Sequence, residues 1–505
     1  MSDDEPLLCG IDAGSSQVRA LVFDRSGQLV AGAAAPTPTR ILGPDRAETH
    51  AADLWSAVAG VLRRALGELP DPRAVRSVAV ASVGEAGVLL DGDGRVLAPI
   101  IAWYDTRTRE ELDWLLATVG FDRLHRITGL CADPTFTLLK LLWYRRRQPE
   151  LLAAATAWLN IGDYLAWRLC GERATDLSLA SRTLLLDLEG RRWSAELRNA
   201  AGLPAGLLPP ICPAGSRIGT ILPEMARETG LPSDCVIGVG GHDHVCGMFA
   251  VGADRPGVLL DSIGTAEALS LVRERPADDP IVGRDGFQQG AFDAGRPLFY
   301  MFGGLPTAAA AVEWFRAQSG GVEHAKLIAE AEAADAAEQV MFLPHLRLGS
   351  PPFPDPVGRG AFLGIASTTG RGALFRAVLE GMALDAGNML ETMLRHAGSG
   401  APERILAIGG STKNRLLMRL KASVYGARLG VVELADATCL GAALLGGLAA
   451  GVFADLDEAR SGLELSTSAV EPDPRWTVAY RARRQAAYAA AYAALRPIHA
   501  RLLEG

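Results

Sequence analysis

The chain has few cysteines, and their spacing fits neither a disulfide framework nor a cysteine-rich metal site. Only 7 of its 505 residues are cysteine, and no two of them form a C-x-x-C pair. Disulfide-rich secreted domains and structural zinc sites carry paired, regularly spaced cysteines, which this chain lacks. The cysteine content therefore favours a reducing compartment.

Long apolar runs and an excess of basic charge are also missing. The longest nearly uncharged stretch, residues 437–454, contains four glycines and falls short of the roughly 20 apolar residues that span a bilayer. The N-terminus is acidic where a secretory signal is basic. Lys and Arg total 50 against 58 Asp and Glu, a net charge of −8 without a clustered basic face. We therefore expect a cytoplasmic protein with no nucleic-acid or membrane partner, and a buried, glycine-packed helix at residues 437–454.

The composition that is present is that of a globular protein with enough apolar residues to fill two cores. Hydrophobic residues make up 49% and charged residues 21% of the chain, which is ordinary for folded domains. A length of 505 residues predicts one to three domains. Residues 253–257, Ala-Asp-Arg-Pro-Gly, have the composition of a linker. We therefore predict one domain over residues 1–253 and a second over residues 254–505.

Hydrophobic periodicity predicts several helices. Apolar residues recur at steps of three and four over residues 54–66, which is typical of an amphipathic helix. Residues 138–143 and 158–169 predict helices of a mainly helical insertion in the first domain. Residues 477–503 predict an alanine-rich helix that packs on the second domain.

Three short strands each lead into a turn of small residues. The turns contain Gly14, Ser15 and Ser16, then Gly264 and Thr265, and finally Gly409, Gly410 and Asn414 before a helix at 415–425. Small residues let backbone N–H groups approach phosphate oxygens closely, so the three turns together predict a phosphate-handling protein. None matches the P-loop pattern G-x-x-x-x-G-K-S/T or opens a helix as G-x-G-x-x-G.

A carboxylate between two imidazoles ends a glycine-rich apolar strand at His242-Asp243-His244. Three interpretations are open: a metal site, an acid–base centre, or a polar turn in which Asp243 caps the next helix. In an extended segment His242 and His244 share one face and Asp243 takes the other, which disfavours one metal bound by all three. We favour Asp243 as a general base.

Taken in chain order, these segments resemble the FGGY carbohydrate kinases, which include xylulokinases and glycerol kinases. The resemblance runs from about Leu8 to about Gly451. The motifs that carry it are Asp12-Ala13-Gly14-Ser15-Ser16 with Arg19, Trp103-Tyr104-Asp105-Thr106-Arg107-Thr108, Lys140-Leu141-Leu142-Trp143, Gly240 to Gly247, Ser262-Ile263-Gly264-Thr265, Gly360 to Gly364, Gly409 to Asn414, and Leu440-Gly441-Ala442-Ala443.

The resemblance implies the actin-like ATPase fold: two ribonuclease-H-like α/β domains, a helical insertion in the first, and ATP and sugar in the cleft between them. The first domain would bind sugar and carry the catalytic base Asp243, and the second would bind the nucleotide. Mg²⁺ would be held at Asp12 and Asp243. The residues implied to bind ATP are Gly14, Ser15, Ser16, Arg19, Gly264, Thr265, Gly409, Gly410 and Asn414. The residues implied to bind substrate are Glu85, Trp103, Asp105, Arg107, Asp243 and His244.

The substrate expected from the resemblance is a small ketose, as in xylulokinases. Xylulokinases carry Met-His and glycerol kinases carry Arg-Glu where this chain has Gly84-Glu85. Glu85 therefore keeps a glycerol- or erythritol-type polyol kinase open, and a non-catalytic sugar-sensing relative is the third alternative. Arg182, His242 and Glu267 depart from the family pattern. Two roles are open for Arg182, contact with the far end of the sugar or with a partner surface, and His242 adds hydrogen-bonding atoms for extra hydroxyls. Glu267 has no predicted role. The partner is a small sugar or polyol, and a homodimer is left open.

Overall fold

The structure is a computed structural model that describes residues 5–293, 295–334, 340–434 and 436–504. The strands of the first half are β1 (Leu7–Ala13), β2 (Gln17–Phe23), β3 (Leu29–Pro36), β4 (Thr39–Gly43), β5 (Arg46–Thr49), β6 (Val75–Ser82), β7 (Gly87–Leu90), β8 (Ile100–Ile101), β9 (Ala157–Asn160), β10 (Leu186–Asp187), β11 (Arg192–Trp193), β12 (Arg217–Thr220) and β13 (Val236–His242). Its helices are α1 (Ala51–Gly67), α2 (Arg109–Val119), α3 (Phe121–Thr128), α4 (Thr137–Arg147), α5 (Pro149–Ala154), α6 (Ile161–Cys170), α7 (Leu177–Ser181), α8 (Ala195–Ala200), α9 (Pro223–Thr229) and α10 (Asp243–Val251).

The second half continues the alternation of strands and helices. Its strands are β14 (Val258–Ile263), β15 (Glu267–Arg273), β16 (Gln288–Asp293), β17 (Pro297–Leu305), β18 (Met341–Leu343), β19 (Ala361–Leu363), β20 (Arg404–Ile408), β21 (Leu429–Glu433) and β22 (Ser466–Val470). Its helices are α11 (Ile281–Arg284), α12 (Ala309–Gln318), α13 (His324–Ala333), α14 (Arg371–Ala397), α15 (Arg415–Tyr425), α16 (Ala437–Ala449), α17 (Leu456–Ser461), α18 (Pro474–Arg483) and α19 (Ala489–Glu504).

Two large mixed sheets that share a core of five equivalently arranged strands organise the chain. The first has the strand order β12-β13-β6-β1-β2-β3, and the second has the order β16-β17-β15-β14-β20-β21-β22. Each begins with an antiparallel hairpin, β1–β2 or β14–β15, whose first strand also pairs in parallel with a later strand, β6 or β20. The two α/β units expected from the resemblance are therefore present. Each places the turn of its first hairpin at the equivalent end of the strands.

Helix α16 belongs to the second half of the sequence but packs on the first sheet. It contacts β1, β6, β13 and α10, and most of its residues are buried. Gly441 lies against the backbone of α10, where a Cβ atom would overlap the carbonyl oxygen of Cys246. This confirms the predicted glycine-packed helix, which joins the two halves at their shared face. No helix within the described part of the chain is long and apolar enough to cross a membrane.

Most predicted helices are confirmed, and one predicted boundary is wrong. The apolar stripe of residues 54–66 is buried in α1, and residues 415–425 form α15. The segment predicted as a helix over 158–169 begins instead as strand β9, which pairs antiparallel with β7. The predicted helix over 477–503 is α18 and α19, joined by a π-helical turn at Arg484–Tyr488.

Candidate functional site

The turn between β1 and β2 is held by a tryptophan from a distant loop. The N–H of Gly14 closes the turn on the Gln17 carbonyl oxygen at 3.1 Å. The indole N–H of Trp103 donates to Ser15 Oγ at 2.6 Å, and the carbonyl oxygen of Ser16 accepts from the N–H of Thr37. Within the described residues, the N–H of Ser15 has no backbone acceptor. This turn therefore offers donors at its tip and is fixed from the side by Trp103.

A charged cluster lies immediately below this turn. Asp12 and Arg19 are paired across β1 and β2, with Arg19 Nη1 at 3.8 Å from Asp12 Oδ2. Arg19 also bonds Asp436, the residue whose carboxylate caps α16. Asp12 is buried, and its Oδ1 has no partner. Burial raises the pKa of Asp12 well above its usual value, and the nearby carboxylates of Asp436 and Asp243 add to this rise. Excess negative charge at Asp12 suits a cation.

The second and third predicted turns lie side by side. The N–H of Gly264 bonds the Ala266 carbonyl oxygen at 2.9 Å inside the β14–β15 turn. Gly409 follows β20 with φ of 102°, and a Cβ atom there would lie 2.5 Å from the carbonyl oxygen of Ile263. Only glycine permits this approach. The turn containing Thr265 and the segment from Gly409 to Asn414 therefore line one end of the second sheet.

The third segment is a short connection into α15. Gly410 begins a single 3₁₀ turn that ends at Lys413. The side-chain oxygen of Asn414 then accepts from the N–H of Leu417 at 3.1 Å and caps α15. Asn414 therefore uses its carbonyl oxygen within the protein, and its amide N–H groups are the donors left for a ligand.

Asp243 is the first residue of α10, directly after β13. Its Oδ1 accepts from the N–H of His244 at 2.6 Å and lies 3.3 Å from His242 Nε2. Its Oδ2 has no partner in the protein among the residues described, and a quarter of the side chain is exposed. Because the helix starts at Asp243, the segment is not extended, and the prediction that Asp243 points away from both histidines is wrong. The rings of His242 and His244 lie 5.4 Å apart beside the carboxylate.

The surroundings of Asp243 favour its ionised form. Burial acts to raise the pKa of Asp243, but His242, His244 and Arg182 outweigh it, so the pKa lies below its ordinary value. Burial lowers the pKa of His242 to about 3, which keeps that ring neutral near pH 7. An ionised carboxylate with one free oxygen can accept a proton.

Glu85 lies on the other side of this carboxylate and is paired with Arg182. Arg182 Nε donates to Glu85 Oε1 at 2.6 Å, and both side chains are almost completely buried. Glu85 adopts a φ of 60°, which few residues other than glycine adopt. Its carbonyl oxygen accepts from Lys140 Nζ at 2.8 Å, and Lys140 also bonds the Ala102 carbonyl oxygen at 2.9 Å. Lys140 therefore ties the Glu85 loop to the loop that carries Trp103.

Asp105 and Arg107 form a buried pair behind Trp103. Arg107 bonds both oxygens of Asp105, at 2.9 Å from Nε and 2.7 Å from Nη2. Its Nη1 bonds Glu48 at 2.7 Å, and Asp105 Oδ2 also accepts from the N–H of Ala47 at 2.8 Å. Their side chains are at most 4% exposed, whereas Trp103 is 39% exposed. The pair supports the loop, and Trp103 and Tyr104 are the aromatic members of the motif that face outwards.

Glu267 points into the second domain, away from the turn formed by Gly264 and Thr265. Its Oε1 lies 2.6 Å from Lys421 Nζ, which is also 2.9 Å from Asp261 Oδ2. The hydroxyl of Tyr425 donates to the same Asp261 oxygen at 2.8 Å. Asp261, Glu267 and Lys421 are deeply buried, and Tyr425 is partly buried. This cluster ties the β14–β15 hairpin to α15, and the Glu267 carboxylate is directed into the core and away from the turn predicted to hold phosphate.

Three contributors to the site were missed from the sequence. Asp436 caps α16 and bonds Arg19, and an aspartate directly before a helix was the available signal. Lys140 belongs to a motif that carries the resemblance, but its hydrogen bonds to the backbone carbonyls of two loops were not predicted. The ring of Phe302 of β17 contacts that of His244 in a tilted arrangement, with 5.1 Å between ring centres. A contact between halves of the chain this far apart leaves no local trace in the sequence.

The arrangement combines the parts that phosphoryl transfer needs. An ionised carboxylate, three small-residue turns and a buried acidic cluster lie where the two sheets and helices α10 and α16 meet. Within the described ranges, no group of three or more His, Cys, Asp or Glu side chains could hold a metal ion by itself. A Mg²⁺ ion commonly takes one or two carboxylates and completes its shell with water and phosphate oxygens, and Asp12 and Asp243 fit that pattern.

Comparison with known proteins agrees with this chemistry. The N-terminal domain of the FGGY family of carbohydrate kinases matches residues 7–250, and its C-terminal domain matches residues 260–450. The chain is 31% identical over 465 residues to an L-fuculokinase of Escherichia coli (strain K12), covering 89% of this chain and 94% of the relative. It is 30% identical over 478 residues to a xylulose kinase of the same strain, covering 94% and 96%.

A glycerol kinase of Bordetella parapertussis is also similar, at 31% identity over 469 residues that cover 89% of this chain and 90% of the relative. Among solved structures, a xylulose kinase from Rhodospirillum rubrum superposes with a TM-score of 0.88 at 27% identity, over 98% of this chain and 99% of that one. The protein is therefore a phosphotransferase with the actin-like ATPase fold, and it belongs to the FGGY family of carbohydrate kinases.

Proposed function

We propose that the protein transfers the γ-phosphate of ATP to a hydroxyl of a small ketose, in the manner of a xylulose kinase. The observation that carries this proposal is Asp243, an ionised carboxylate at the start of α10 with one oxygen free of protein partners. The similarity to xylulose kinase and L-fuculokinase supports a ketose. We assign sugar binding to residues 1–253 and nucleotide binding to residues 254–505.

In the proposed reaction Asp243 acts as the general base. The substrate hydroxyl gives its proton to Asp243 Oδ2 as its oxygen bonds the γ-phosphorus, the bond from that phosphorus to the bridging oxygen breaks, and ADP leaves. A positioned base contributes about 10²- to 10⁴-fold in rate. The hydrogen bond from the His244 N–H and the contact with His242 Nε2 hold one carboxylate oxygen, so that the free oxygen keeps its direction.

The phosphates would lie between the two hairpin turns. The N–H groups of Ser15 and Thr265 are the proposed donors, with Arg19 adding positive charge, and Gly409, Gly410 and Asn414 would contact the nucleotide. Asp12 and Asp243 would hold Mg²⁺ through water, and the unpartnered, buried Asp12 Oδ1 supports this fit. The ion would supply neutralisation of phosphate charge.

The substrate would contact Glu85, Trp103, Asp243 and His244. We propose that Asp105 and Arg107 act on the substrate by fixing the Trp103 loop, because they bond each other in the protein interior. A glycerol- or erythritol-type polyol kinase is the second candidate. The ion pair of Glu85 with Arg182 favours it, since the pair offers an acceptor and a donor to hydroxyls.

The decisive experiment measures coupled ADP release from Mg-ATP with xylulose, L-fuculose, erythritol and glycerol. We expect one sugar to stimulate turnover and Asp243→Asn to reduce kcat by about 10²- to 10⁴-fold while calorimetry still detects binding of that sugar. Asp234→Asn, an exposed aspartate at the opposite end of β13, is the matched control and keeps full activity. Undiminished turnover by Asp243→Asn would refute the assigned base, and a ranking led by glycerol or erythritol would favour the polyol kinase.

A further inference from the structure

Arg182 is held at the floor of the proposed sugar site by one acidic and two aromatic neighbours. It follows the last residue of α7 and is 7% exposed. Its guanidinium carbon lies 5.5 Å from the ring centre of Phe136 and 5.8 Å from that of Phe302. The Nε bond to Glu85 fixes the third side. A planar guanidinium stacked between rings is pre-organised, so little rotational freedom is lost when it bonds a ligand.

The side chain of Arg182 occupies the space in front of residue 84. A Cβ atom built on Gly84 would lie 2.7 Å from both Cβ and Cγ of Arg182, and 3.2 Å from Cδ2 of His242. Any side chain at position 84 would therefore displace the arginine. The guanidinium beside Glu85 comes from the end of α7, and glycine at position 84 is the condition that admits it.

The ion pair keeps polar atoms for a ligand. Arg182 contacts only the Oε1 atom of Glu85. Among the described residues, neither Glu85 Oε2 nor Arg182 Nη1 has a hydrogen-bond partner in the protein. Neither atom is fully enclosed by the protein, so a ligand can reach both. One free acceptor and one free donor on neighbouring side chains match two adjacent hydroxyl groups, one donating to the carboxylate and the other accepting from the guanidinium.

We propose that Arg182 is a specificity-determining residue and that the Glu85–Arg182 pair selects an uncharged substrate with two adjacent hydroxyls. This proposal rests on the proposed sugar kinase function. The pair has no net charge, because the carboxylate compensates the guanidinium. A sugar acid would bring a second carboxylate near Glu85 and Asp243. The nearby Lys140 cannot receive it, because its side chain is fully buried and its Nζ bonds backbone carbonyl oxygens, so repulsion disfavours a sugar acid.

The test compares Arg182→Gln with Arg376→Gln, using the panel sugar that wild-type protein turns over best. Arg376 is the matched control: it is also buried, bonds Glu380 Oε1 through Nε at 2.9 Å, and stacks on Trp476 at 5.1 Å, but it lies in α14. We expect Arg182→Gln to raise the sugar KM by about 10- to 100-fold, the usual range for a hydrogen bond to a charged group. Arg376→Gln leaves that KM unchanged, although both variants lose stability.

Two further measurements separate recognition from packing. Moving the guanidinium, with Gly84→Arg combined with Arg182→Gly, regains at least about tenfold of the kcat/KM that Arg182→Gly alone loses. A deoxy analogue of the best sugar lacks one of the two adjacent hydroxyls. The ratio of kcat/KM for the sugar to kcat/KM for this analogue should be smaller in Arg182→Gln than in wild-type protein. Gluconate, a sugar acid, is phosphorylated poorly by wild-type protein.

The outcomes distinguish this proposal from the proposed function. Sugar-stimulated turnover with an unchanged KM in Arg182→Gln overturns the role of Arg182 and leaves the kinase intact. Preference for gluconate over every neutral sugar overturns the selection of an uncharged substrate. Wild-type protein that turns over no panel member overturns the proposed substrate class, and with it the role of Arg182.

Discussion

The indole N–H of Trp103 donates a 2.6 Å hydrogen bond to Ser15 Oγ, although the two residues are 88 positions apart. Trp103 belongs to the proposed sugar side, and Ser15 belongs to the turn proposed to hold phosphate. The bond therefore fixes the position of the proposed sugar-binding loop relative to the turn proposed to hold phosphate. Asp105 and Arg107 support Trp103 from behind, and Lys140 fixes the backbone of the same loop.

We expect Trp103→Phe to reduce kcat/KM for the sugar by about threefold to tenfold. The substitution removes the neutral hydrogen bond to Ser15 and keeps an aromatic ring at this position. Steady-state kinetics with the best panel sugar measures the change. Tyr104→Phe is the control, since Tyr104 is equally exposed and makes edge contact with Trp103. Equal losses in both variants would show that the hydrogen bond to Ser15 has no particular role.

We expect Asp12→Asn to abolish activity and to stabilise the ligand-free protein on the order of 1 kcal/mol. The pKa of Asp12 is raised in the folded state, first by burial and then by Asp436 and Asp243. A raised carboxyl pKa means that stability is present at low pH and is lost as pH rises through the folded pKa. The variant should therefore unfold at a higher temperature than wild-type protein near pH 7, and the two should unfold at the same temperature in strong acid.

The matched control for this prediction is Asp53→Asn, an exposed aspartate in α1 whose ion pair with Arg40 lies on the surface. It should change the free energy of unfolding by no more than about 0.5 kcal/mol at any pH. Lower thermal stability of Asp12→Asn than of wild-type protein near pH 7 would contradict the raised pKa and the excess negative charge at this position.

Much of the fold could be predicted because its determinants are local. The stripe at residues 54–66 and the turn before residue 415 specify α1 and α15 through periodicity and capping. The strand at Ala157–Asn160 was missed because its pairing with β7, about 70 residues earlier, overrides an apolar run that also suits a helix.

The site was predictable to the extent that motifs mark its turns and its base. The ion-pair partners of the acidic side chains in these segments could not be predicted. Glu267 contacts Lys421, and Glu85 contacts Arg182, only in the folded protein. A carboxylate beside a phosphate-binding turn suggests repulsion when the sequence alone is considered. The strand that begins at Glu267 instead directs the side chain into the core, where it accepts a hydrogen bond from a lysine of α15.

The pH dependence of kcat/KM for the sugar tests the state of Asp243. Because its pKa lies below the ordinary value of 3.8, the ionised base is present at every pH above that value, and its loss sets in only as pH falls below it. We expect no acid limb from this group between about pH 5 and 8. Removing an imidazole with His244→Gln should raise the pKa of Asp243 and shift the acid limb upwards. A limb near pH 6 in wild-type protein that the variant leaves in place would contradict the assignment.

Lys421 and Glu267 give the sharpest prediction for stability. Lys421→Met leaves Asp261 buried without its cation and should lower the free energy of unfolding by about 3–5 kcal/mol, whereas the exposed Lys326→Met should change it by less than about 0.5 kcal/mol.

Burial, followed by the charge of Asp261, raises the pKa of Glu267 to about 8, so this carboxyl is protonated near pH 7 and Glu267→Gln should cost little there. The raised pKa also means that wild-type protein loses stability as pH rises through about 8, and the glutamine variant does not. Urea unfolding at pH 7 and pH 9 measures both differences, and a large loss for Glu267→Gln at pH 7 would show that the carboxyl is ionised and that Lys421 pairs with two charges.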